Sequence, residues 1–95
     1  MLLEARSPAD RSRAIKRAGD AVEGRPDRTL IVALVDRLDD EDESVRFFAI
    51  GELGRLTGQR MGYRAHDPAR IRRVAVDRWR RHLESGEAAV PSASE

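Results

Sequence analysis

Apolar residues recur along this chain at helical spacing. Leu30, Ile31, Leu34, Val35 and Leu38 form one stripe, and Val45, Ala49, Leu53 and Leu56 form a second. Ile71, Ala75, Val76, Trp79 and Leu83 form a third. Residues three and four apart share a helix face, so each set predicts an amphipathic helix with one buried side. No segment sustains the two-residue alternation of a strand. The pattern predicts an all-α fold.

Start and stop signals divide the chain into four helices, near 8–23, 27–38, 44–57 and 68–84. Ser7-Pro8 supplies an N-cap and a first-turn proline, with Asp10 placed to assist the cap, and Gly24 stops that helix. Pro26 and Asp27 open the second helix, and the acidic turn Asp39–Glu43 leads into the third, with Gly58 as its C-terminal glycine. Asp67-Pro68 repeats the cap-and-proline start for the fourth. Residues 1–86 read as a single domain, and the small, polar residues 87–95 as a disordered tail.

An internal repeat runs through three of these helices. It reads Arg11-x-x-Ala14-Ile15-x-x-Ala18, then Arg46-x-x-Ala49-Ile50-x-x-Leu53, then Arg72-x-x-Ala75-Val76-x-x-Trp79. The first two instances also place a glycine next, Gly19 and Gly54. Alanine on a buried stripe lets two helix backbones approach, and the branched or larger residue beside it fills the surrounding space. Arginine at the edge of that face can pack its stem while its guanidinium meets a carboxylate or a helix-end carbonyl. Arg11, Arg46 and Arg72, with Trp79 in the core, are therefore expected to be structural.

The segment Leu30–Leu38, the turn Asp39–Glu43 and the Val45-Arg46 step running into Phe47–Leu56 together resemble a HEAT repeat. The likeness is close over Asp27–Gly58, and Asp10–Gly24 is similar to the second helix of a preceding, incomplete repeat. Leu56 through Tyr63, Asp67-Pro68 and Ala75–Arg80 resemble the terminal segment of small bacterial HEAT-repeat proteins. The resemblance implies an α-α superhelix of stacked antiparallel pairs that serves as a protein-binding scaffold without catalytic residues. About one and a half repeats are present, fewer than the roughly three that such units need for independent stability.

Composition fits this reading. Charged residues reach 37% and aromatics 4%, and mean hydropathy is −0.60, values that suit helices with one buried stripe each. The absence of cysteine excludes disulfides, thiolate metal sites and cysteine nucleophiles. Met1-Leu2-Leu3 runs at once into Glu4 and Arg6, and the longest apolar run, Leu30–Val35, is far too short for a membrane span. The expectation is a cytoplasmic protein with no membrane association. A net charge of +1 gives no bulk attraction to polyanions, although arginines crowd the C-terminal third.

Candidate chemistry is sparse. His66 and His82 lack metal-binding spacing. Asp40-x-Asp42-x-Ser44 matches three calcium-loop positions, but Val45 stands where glycine is needed and Gly51 where the closing glutamate belongs. The acids are better explained by the helix N-terminus they precede. No metal and no cofactor is expected. In the last helix, Arg73–Asp77, Asp77–Arg81 and Arg80–Glu84 are spaced as i, i+4 pairs. Arg60, Arg64, Arg70 and Arg78 remain as candidate phosphate contacts.

Phe47 projects away from the Val45–Leu56 stripe, which makes it the leading interface residue, with Phe48 and Ile50 as flanks. Met61 and Tyr63 are expected to anchor the loop before the last helix. The function expected is a non-catalytic module that binds a protein partner or a second copy. The alternatives are phosphate-backbone binding through the C-terminal arginines and service as an accessory subunit of an enzyme.

Overall fold

The computed structural model describes residues 5–22, 25 and 27–85. Gly24, Pro26 and the tail 87–95, assigned roles above, lie outside the described residues. Within them the protein is all-helical: α1 spans Pro8–Ala21, α2 Arg28–Arg37, α3 Glu43–Thr57 and α4 Ala69–Ser85.

Each start has a local cause. The Ser7 hydroxyl accepts from the Asp10 amide at 3.3 Å, and Pro8 fills the first turn, where its missing N–H costs nothing. Asp27 and Asp42 cap α2 and α3 through the amides of Leu30 and Val45, at 3.2 and 3.1 Å. Gly58 ends α3 in the left-handed region, φ +74°, where a Cβ would be strained, and its amide donates to Gly54. The fourth helix begins at Ala69, with the Pro68 carbonyl accepting from the amides of Ile71 and Arg72.

The third helix is the centre of the molecule. It packs on α1 along one side and on α2 along another, while α4 rests on α2. Accordingly α3 buries the expected stripe of Val45, Ala49, Leu53 and Leu56, and also Arg46, Ile50, Glu52 and Thr57. Ile15 from α1, the stripe Leu30–Leu38 and the Ala75, Val76, Trp79, Leu83 side of α4 complete the core.

One member of the α4 stripe departs from expectation. Ile71 is 47% exposed, and Val74 beside it 56%. The reason is where α4 touches α2. The C-terminal half makes the polar links to α2, with the Arg28 guanidinium donating to the Leu83 carbonyl and Arg80 facing Asp36 and Asp39. The first turns of α4 extend past that contact, so helical spacing alone overstates how much of the stripe is covered.

Candidate functional site

The three repeated arginines occupy one position in three helices, the fourth residue of each, and make one recurring bond. Each sends Nη1 back to the backbone carbonyl five residues upstream: Arg11 to Arg6 at 2.7 Å, Arg46 to Glu41 at 3.1 Å and Arg72 to Asp67 at 2.6 Å. Arg11 and Arg46 reach the carbonyl six residues upstream as well, on Ala5 and Asp40. The guanidinium thus folds over the start of its own helix and ties down the chain that enters it. Arg46 adds a bond from Nε to the Ala65 carbonyl at 3.1 Å, which fixes the following loop. Arg11 and Arg46 are buried, and Arg72 is partly so.

Among the described residues, Arg11 has the one carboxylate partner of the three. Its Nε and Nη2 donate to the two Asp40 oxygens at 2.8 and 3.0 Å, with both side chains almost wholly buried. Those bonds raise the Arg11 pKa above its ordinary value, against the opposing cost of burial. Asp40 also accepts from the Asp42 amide at 2.9 Å and faces Arg37 at 3.4 Å. With the Asp42 side chain occupied in capping α3, the calcium-loop spacing is taken up by internal bonds. Among the described residues no group of three or more His, Asp or Glu is arranged to hold a metal ion.

The loop between α3 and α4 is pinned from three sides. The buried Tyr63 hydroxyl donates to the Leu38 carbonyl at 2.7 Å, closing the end of α2. Burial pushes the Tyr63 phenol up to about 12, while Arg46 and Arg72 pull it the other way. The indole of Trp79, fully buried, donates to the Arg60 carbonyl at 3.0 Å, and Arg78 donates to the Met61 carbonyl. Met61 and Gly62 both have positive φ, +58° and +77°, in a tight turn closed by the Tyr63 amide on the Arg60 carbonyl.

The two repeated glycines are places where arginine lies against a helix backbone. A Cβ on Gly19 would run into the Glu52 carboxylate and the Arg55 guanidinium of α3, which form an ion pair over it. A Cβ on Gly54 would meet the Arg60 guanidinium at 3.4 Å. On α1 the cover comes from α3, and on α3 it comes from the loop that follows.

The expected interface residues divide. Phe47 is 65% exposed and Phe48 39%, with their rings edge to face at a centroid separation of 5.9 Å. Ile50, expected as an exposed flank, is a core residue at 3% exposure, because α3 is enclosed on that side. It contributes to a shallow depression with Phe47, Tyr63, Arg60 and Arg64. Phe48 borders a second depression with Ala9, Ser12 and Lys16 of α1.

The four candidate phosphate contacts do not converge on one point. Arg60 and Arg64 line the depression beside Phe47, and Arg70 and Arg78 line another on α4, with Gly62 shared between them. Arg60 is laid on Gly54 and Arg78 on the Met61 carbonyl. Of the i, i+4 pairs expected in α4, Arg80 turns instead to Asp36 and Asp39, 3.4 Å from each. The carboxylate acceptors in α2 and the turn after it outcompete the neighbour one helical turn away.

Two buried acids were not singled out by sequence pattern. Asp40 stands in a run of six acids from Asp36 to Glu43, and nothing local marks it as the one that meets Arg11. Glu52 sits on the helix that carries the repeat, and the glycine beneath it was the available signal. Among the described residues no helix is long and apolar enough to cross a membrane. No family model, curated protein or solved structure matches the chain.

Proposed function

We propose that this chain is a non-catalytic HEAT-repeat module of the cytoplasm that engages a protein partner through the outer side of α3. The observation that carries the reading is the Phe47–Phe48 pair. Two aromatic rings lie edge to face on the most central helix, one of them 65% exposed. Burying a phenylalanine fully is worth roughly 1.5–3 kcal/mol, so leaving the pair in solvent forgoes stability that a partner can recover.

Two features support the repeat reading. The packing order, α1 on α3, α2 on α3 and α2 on α4, is the one expected of helix pairs stacked in two layers. The arginine that folds over its helix start recurs in α1, α3 and α4. The non-catalytic reading is supported by the use of the buried ionisable groups: Arg11 with Asp40 and Glu52 with Arg55 are spent on internal pairs.

The test is a photoreactive side chain placed at position 47 of the full chain in cells that produce it. A discrete adduct that Phe48→Ser removes is expected, and mass spectrometry then identifies the partner. Sedimentation equilibrium of wild type and Phe47→Ser shows whether that partner is a second copy. A monomer with no adduct would overturn the proposal, as would salt-sensitive binding of a random DNA duplex unaffected by Phe47→Ser.

A further inference from the structure

A second apolar surface lies on α4, in a depression that meets the one beside Phe47 only at Gly62. Ile71 and Val74 are about half exposed, and with Ala75 they line a depression of about 460 Å³. Arg70 and Arg78 border it, and Gly62 of the preceding loop forms its remaining wall. A Cβ on Gly62 would come within 2.9 Å of the Arg78 guanidinium, so the glycine keeps this hollow open beside the arginine. The lining contains no acidic residue.

We propose that this edge of α4 receives an amphipathic helix of another protein, with apolar residues one turn apart and carboxylates flanking them. Charge selects the occupant. Arg70 and Arg78 are eight residues apart, roughly 12 Å along the helix axis, with Ile71 and Val74 between them. Arg70 is exposed and has no hydrogen-bond or ion-pair partner among the described residues. A helix laid across this hollow places its apolar side chains on Ile71 and Val74, and carboxylates at its margins meet the arginines.

A second copy of the chain is a poor occupant. Pairing two α4 helices sets six arginines and two acids against the same set, a repulsive arrangement. A nucleic-acid backbone would leave Ile71 and Val74 unsatisfied at the centre of the contact. It would also compete for arginines already used internally, Arg72 on Asp67 and Arg80 on Asp36 and Asp39.

The probe is a displayed library of helical peptides, randomised on one face and selected against the full chain, with the Val74→Asp chain as counter-selection. Both Val74 and Arg70 are exposed, and thermal melts establish that their variants fold. The expected winners carry Leu, Ile or Phe one turn apart with Asp or Glu beside them. Their affinity falls about tenfold or more on Val74→Asp and on Arg70→Glu, and is unchanged by Phe47→Ser. Replacing the winners' acids with lysine should abolish binding to wild type and restore part of it to Arg70→Glu. The proposal is overturned if no winner depends on Val74, if winners show no enrichment in acids, or if a DNA duplex displaces them through the same residues. A dimer that Val74→Asp dissolves would overturn it as well. Because the phenylalanine pair enters only as the unchanged arm, failure here leaves the reading of α3 standing, and the converse holds too.

Discussion

Arg11 and Asp40 form a buried, two-bond ion pair across 29 residues of sequence, joining the start of α1 to the turn between α2 and α3. The same aspartate offers its backbone carbonyl to Arg46 at 2.9 Å. Two of the three repeated arginines therefore meet at one residue, and the ends of three helices are held by it. A buried pair of this kind is not in itself strongly stabilising, but removing one partner leaves the other charge without compensation.

Asp40→Ala should be among the most damaging single substitutions outside the apolar core. It strands the Arg11 guanidinium and frees the Asp42 amide at the entrance of α3. The melting temperature is expected to fall by about 10 °C or more, read by circular dichroism. Replacing both partners with apolar residues, Arg11→Met with Asp40→Leu, should recover much of that loss. A melt within a degree or two of wild type for Asp40→Ala would remove the pair from any account of stability.

The recurring arginine predicts an order of effects. Arg46→Ala deletes three hydrogen bonds to carbonyls of the chain before and after α3 and should cost about 2–4 kcal/mol. Arg72→Ala deletes one hydrogen bond at a less buried site and should cost about 1 kcal/mol. Urea titrations followed through Trp79, the chain's only tryptophan, give both values. Equal costs at the two positions would mean that the shared geometry does not carry the energy.

Tyr63 makes stability depend on alkaline pH. Its phenol is pushed up to about 12 in the folded protein, above the ordinary value of 10.0. The folded state therefore holds its proton more tightly than the unfolded state between those values. The contribution is fully present below pH 10 and is lost as pH rises towards 12. Tyr63 is the only tyrosine, so phenolate absorbance assigns the titration directly, with a midpoint near 12 when folded and near 10 in denaturant. Tyr63→Phe should abolish that part of the pH dependence and, at neutral pH, cost about 1 kcal/mol for the lost bond to the Leu38 carbonyl.

Two helix glycines should respond in opposite directions. A Cβ at Gly51 meets nothing within 4 Å, so Gly51→Ala should stabilise by about 0.5–1 kcal/mol through helix propensity. Gly19→Ala gains the same propensity but displaces the buried Glu52 carboxylate, and should be net destabilising. Adding Glu52→Ala to Gly19→Ala should recover stability, and a double-mutant cycle measured by urea denaturation checks it.

The sequence by itself determined the four helices, because caps, prolines and apolar spacing act within one or two turns and need no partner. It also marked the three repeated arginines, since their shared bond to a carbonyl five residues upstream is local. Tertiary structure alone decided the rest. Which of the six acids from Asp36 to Glu43 meets Arg11 depends on how α1 crosses the α2–α3 turn, and no spacing rule reaches across 29 residues. Ile50 is enclosed and Ile71 left open for the same reason, because a stripe shows which face of a helix is apolar but not how far its neighbour extends along it. Arg80 takes Asp36 of α2 and Asp39 of the turn after it in place of Glu84, because a partner so distant in sequence is visible only once the helices are packed.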